Sequence, residues 1–99
     1  MAKLTVVYWR DIPAQVIAKE KRNAAKLVLT ERFEKAIDRA AMRSGARDTD
    51  AYLAEWRRGE PTKCGDDLDA EAAAMAARLE AEFDDDRLAA LVASGGREE

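Results

Sequence analysis

The chain has 99 residues, 47% hydrophobic and 37% charged, with a formal net charge of −3 at pH 7. That is enough for one domain with a modest core, and no apolar run approaches the roughly 18 residues that a membrane span needs. There is no histidine and one cysteine, Cys64, which excludes an internal disulfide framework and removes both the commonest metal ligand and the commonest general base at neutral pH.

Residues 3–10, "KLTVVYWR", read as a strand rich in β-branched and aromatic side chains. Neighbouring strand residues point to opposite faces, so Val6 and Tyr8 face one way and Val7 and Trp9 the other. Both faces are apolar, which a small domain can seldom cover on its own. The short apolar stretch from Leu4 to Trp9 fits a strand better than a signal peptide. Pro13 then breaks the run and suits a bend or a sheet edge. A second strand is expected over 14–20, a turn over 21–24 with Asn23 left-handed, and a third strand over 26–29.

Thr30 suits a helix N-cap, with Glu31 in the first turn. Phe33, Ala36, Ile37, Ala40 and Ala41 recur at helical spacing over 31–44, and Gly45 suits the C-terminal cap. A second helix over 48–57, opened by Asp48 or Thr49, would present Tyr52, Leu53 and Trp56. A third is expected over 69–83, aligning Leu68, Ala72, Met75, Leu79 and Phe83, and a short last one follows the Asp84–Asp86 run. "SGGREE" reads as a frayed end.

Charge divides the chain. Residues 1–58 hold 13 Lys/Arg against 8 Asp/Glu, and residues 59–99 hold 4 against 12. The change falls at "RRGEPTKCGDDLD", where Gly59, Pro61 and Gly65 punctuate the sequence. The expected architecture is therefore α+β. Residues 1–58 form a small antiparallel sheet of about three strands against two helices. Residues 59–99 form an acidic helical extension that folds back or holds a partner.

Few residues suggest chemistry. Cys64 has Lys63 beside it, which could activate a thiol, but a cysteine nucleophile normally needs a positioned base. An incidental loop cysteine is the preferred reading. Asp66, Asp67, Asp69 and Glu71 lack the alternating ligands and central glycine of a calcium loop, and helix capping accounts for them better. Arg57 and Arg58 read as surface charge. Strand, helix, glycine turn and second helix in "KLVLTERFEKAIDRAAMRSGARDTDAYLAEW" also follow the order of a dimeric ribbon-helix-helix DNA-binding regulator. Val28 would then face the bases without a hydrogen-bonding group, a preceding strand pair would compete for the ribbon's edge, and the acidic tail would repel phosphate.

"LTVVYWRDIPAQV", "LTERFEKAIDRAAMRSG" and "DAYLAEWRR" resemble the small bacterial "virulence factor" family, a domain also found at the C-terminus of conserved virulence factor C proteins. The resemblance covers about residues 3–58, and its most specific part is the run from Tyr8 to Gln15. It carries over no catalytic or binding residue. Through the setting of similar proteins it implies an accessory role beside corrinoid- and folate-dependent methyl transfer. The expectation is a non-enzymatic, cytoplasmic protein-interaction protein with no cofactor or metal, acting on a protein partner such as a methyl-transfer protein. A homodimer stays open; membrane and nucleic acid are not expected. The uncovered face of the first strand supplies the contact surface, with Tyr8, Trp9, Arg10, Asp11 and Pro13 as its residues.

Overall fold

The computed structural model describes residues 2–45 and 49–97. Three strands open the chain: β1 (Lys3–Trp9), β2 (Ile12–Glu20) and β3 (Asn23–Val28). They are joined by two-residue turns at Arg10–Asp11 and Lys21–Arg22, and Arg10 (φ 54°) and Lys21 (φ 53°) take the left-handed conformation. The left-handed residue of the second turn is Lys21, not Asn23, because Asn23 already pairs with Glu20. Helix α1 (Glu31–Ser44) buries Phe33, Ala36, Ile37, Ala40 and Ala41, as their spacing predicts, and ends on Gly45 at φ 79°.

The second helix is shorter than expected. α2 spans Thr49–Ala54, and Trp56–Arg58 forms a strand, β4, antiparallel to β1. Gly59 and Pro61 follow directly and would end a helix there, while Trp56 can pair across from Trp9. Asp48 lies outside the described residues. A further short strand, β5 (Thr62–Lys63), also pairs with β1. The antiparallel sheet therefore has five strands rather than three, in the order β3-β2-β1-β4 with β5 beside the start of β1.

Helices α3 (Leu68–Glu82) and α4 (Asp85–Ala93) complete the fold. Their caps explain part of the acidic sequence: Asp67 accepts from the Ala70 N–H at 3.2 Å, and Asp84 from the Arg87 N–H at 2.8 Å. α3 lies across β2 and β3, and α4 packs against α1. One cluster joins Val6, Val16 and Ala18 of the sheet to Phe33 and Ile37 of α1, Ala72 and Leu79 of α3, and Leu88 and Leu91 of α4.

Pro13 sits at a bend, as expected, and just beyond the last β2–β3 pair, Gln15–Val28, although the strand it belongs to is not an edge strand. β2 is an interior strand, and its register against β1 slips between Val7 and Tyr8, so that Gln15 opposes Val7 while Pro13 opposes Tyr8. Ala14 is the extra residue of a β-bulge, and Pro13 beside it is fully buried. The two apolar faces of β1 have different fates. Leu4, Val6 and Tyr8 face the helix layer, and Val7 is buried outside the shared cluster, as is Ile17 of β2. Trp9, expected on the same face as Val7, instead enters the cluster, because the register slips between Val7 and Tyr8.

Candidate interaction groove at the first hairpin

The Arg10–Asp11 turn is held from three sides. The Arg10 N–H donates to the Glu55 carbonyl at 3.1 Å and the Asp11 N–H to the Gly96 carbonyl at 2.8 Å. The Arg10 side chain donates through Nη1 to the Gly95 carbonyl at 2.7 Å, and its Nε lies 3.3 Å from Glu55 Oε2. Arg97 reaches the same Glu55 oxygen at 3.2 Å. These bonds hold a non-glycine residue in a sparsely populated conformation.

The five residues expected on a contact surface therefore separate. Trp9 and Pro13 are fully buried and take no part in a surface. Trp9 stacks on Tyr52 with ring centroids 5.8 Å apart, and its indole N–H donates to the Tyr52 carbonyl at 3.0 Å. The Arg10 side chain is 14% exposed and holds the C-terminal turn in place. Tyr8 and Asp11 reach solvent, and Arg57 joins them. Its Nε donates to the Arg10 carbonyl at 2.9 Å, its Nη2 to Asp11 Oδ1 at 3.1 Å, and its guanidinium lies 4.6 Å from the Tyr8 ring centre.

Together they form one wall of an open groove of about 570 Å³. Glu60 extends that wall, and Met75, Arg78, Glu82 and Arg87 form the opposite one. Gly59 shapes the floor: a Cβ there would come within 3.0 Å of the Tyr8 ring. Arg57, read from sequence as surface charge, is the residue that sequence reasoning undervalued. Its pairing with β1 was hidden because Trp56 and Arg57 read as the end of the helix over 48–57.

The groove offers a phenol ring, a thioether, guanidiniums and carboxylates, a set suited to holding a polypeptide. Cys64 lies outside it. Burial pushes the Cys64 thiol up, and the carboxylates of Glu71, Asp66 and Glu20 push it further. Among the described residues, no group of three or more acidic or cysteine side chains is placed to hold a metal ion. A second hollow of about 340 Å³ lies below the sheet, with Ile37, Tyr52, Val28 and Trp56 beside Glu34 and Asp38. Burial raises the Tyr52 phenol, and Asp38 and Glu34 raise it further.

The geometry is that of an α+β domain with one sheet face under a helical layer and an open groove beside its first hairpin. The model of the family described as Virulence factor matches residues 7–92, and the chain belongs to that family. The match includes α3 and nearly all of α4. No curated protein and no solved structure matches the chain.

Proposed function

We propose that this protein is a non-enzymatic accessory protein that holds a segment of a partner protein in the groove between Tyr8, Arg57 and α3. The observation that carries this reading is the Tyr8–Arg57–Asp11 unit. It is a stacked aromatic and guanidinium, braced by a carboxylate and opening onto a groove with Met75 on its far wall. Tyr and Arg are the side chains that most often anchor interfaces. The resemblance to proteins encoded beside corrinoid- and folate-dependent methyl transfer supports a methyl-transfer protein as the partner, and the compartment would then be the cytoplasm. Among the described residues, no helix is long and apolar enough to cross a membrane.

Photo-crosslinking in the native cell tests this directly. A benzophenone amino acid in place of Glu60 or Arg78, both exposed on the groove, should give one shared adduct, and the same probe at the exposed Lys35 of α1 should not. Mass spectrometry of the adduct identifies the partner. Equal adducts from Lys35, or none from the groove, would remove the groove as the docking site.

A further inference from the structure

The strand residues on the face of the sheet away from α3 include cations and no carboxylate; Glu34 and Asp38 of α1 border only its Gln15–Val28 end. Alternation places Lys3, Thr5 and Val7 of β1 on this face, with Gln15, Ile17 and Lys19 of β2. The registers then add Ala24, Lys26 and Val28 of β3, Arg58 of β4 and Lys63 of β5. Lys3 is the direct cross-strand partner of both Lys19 and Lys63, so three lysines stand in one row. All five cations are exposed, and none makes an ion pair among the described residues.

Like charges directly opposite one another destabilise a sheet. A chain of net charge −3 has carboxylates enough to intersperse, yet none stands among the strand residues of this face, and Asp67, Asp69, Glu71, Asp84, Asp85 and Asp86 lie at the caps and first turns of α3 and α4. At the centre of the cationic face, Val7 and Ile17 are each only 8% exposed, beside Arg58 and Lys26, whose stems can cover them. The surface is thus an array of cations over an apolar floor.

We propose that this lysine-bearing sheet face docks an acidic helix of a partner protein. Strands lie about 4.8 Å apart, so the attachment points of the row Lys63–Lys3–Lys19 repeat at nearly the spacing of the Cβ atoms of residues three and four apart on a helix, about 5–6 Å, within reach of the flexible lysine stems. Two observations favour a protein over a nucleic acid. The row's neighbours on the face are Thr5, Val7, Gln15 and Ile17, which give bases no aromatic ring to stack on. The acidic helices of the same small molecule would repel a long polyanion, whereas a short helix can stay within the cationic face.

The test uses the whole chain and a synthetic, fluorescently labelled helical peptide with its glutamates in one stripe. A scrambled peptide of the same composition and a single-stranded oligonucleotide serve as comparisons. The striped peptide should bind, weaken steeply with salt, and bind about tenfold or more weakly to the variant Lys3→Gln/Lys19→Gln/Lys63→Gln. That variant should melt no lower than the wild type at low salt, because repulsion is removed; Lys19→Gln alone repeats the measurement with one change. Equal binding of striped and scrambled peptides overturns the proposal, as does a variant that binds like the wild type or tighter binding of the oligonucleotide. Salt-sensitive self-association of the free protein would also overturn it, by assigning the face to a second copy.

Discussion

Trp9 and Gly96 show how much rests on single residues. Trp9 is fully buried, and the ring meets the C-terminal turn so closely that a Cβ on Gly96 would lie 2.9 Å from it. Gly96 also has φ +92°, a conformation that side-chain-bearing residues rarely adopt. Gly96→Ala should therefore cost about 1–3 kcal/mol through overpacking, with backbone strain in addition. Trp9→Ala should cost about 3–5 kcal/mol by leaving a cavity. Denaturant unfolding of both variants measures these values; a Gly96→Ala variant as stable as the wild type would show that the turn does not seat on Trp9. The sequence reads "SGGREE" as frayed because glycines after a helix usually mark its end. Nothing local says that Gly95 and Gly96 accept hydrogen bonds from Arg10 and Asp11, more than eighty positions away.

At the scale of elements, the joint between α1 and α3 shows a role that local pattern could not reveal. Thr30 takes the N-cap position of α1, but its side chain makes no capping bond. Instead its N–H and hydroxyl donate to the two carboxylate oxygens of Glu80, each at 2.9 Å. Arg32 donates to Glu80 Oε1 and to the carbonyls of Glu80 and Phe83, meeting the C-terminal end of α3 where a cation is favourable. Burial alone would raise the Glu80 carboxyl, but the Thr30 and Arg32 bonds outweigh it and hold the group below its ordinary value of 4.5. A carboxyl lowered on folding adds stability that is fully present above the unfolded value and is lost as pH falls through the folded one. Glu80→Gln should thus lower stability by about 1.5–3 kcal/mol at neutral pH. The gap to wild type should close as pH drops below that ordinary value. Melting curves across that range check it, and a gap of constant size would assign the loss to packing. The start of α1 at Thr30 and its apolar face were legible because helix-start preference and periodicity are local, though Thr30 makes no side-chain capping bond. The Glu80 contact was not, because it joins residues fifty positions apart.

For the molecule as a whole, the question is how far the basic and acidic parts of the chain depend on each other. Composition changes at Gly59, and the α+β class follows from residues 1–58, since their strands and first helix are strongly patterned. The pairing of β4 and β5 with β1 could not be read, because strands of three and two residues have too little pattern to register. Packing links the two parts closely. Leu79 and Phe83 of the acidic part enter one cluster with Val6, Val16 and Phe33, and Phe83 meets the Phe33 ring edge-on at 6.2 Å. Without residues 59–99, the helix-facing side of the sheet would expose Val6, Tyr8, Val16 and Ala18, and Trp9 would lose the turn at Gly96. A fragment of 58 residues is already at the size where burial barely offsets chain entropy, so losing this cover should cost it a cooperative fold. A fragment of residues 1–58 should show no sharp thermal transition and weak near-ultraviolet dichroism, and adding residues 59–99 as a separate peptide should restore both in part. A fragment that melts cooperatively by itself would make 1–58 an independent domain, with the acidic helices as an attachment to it.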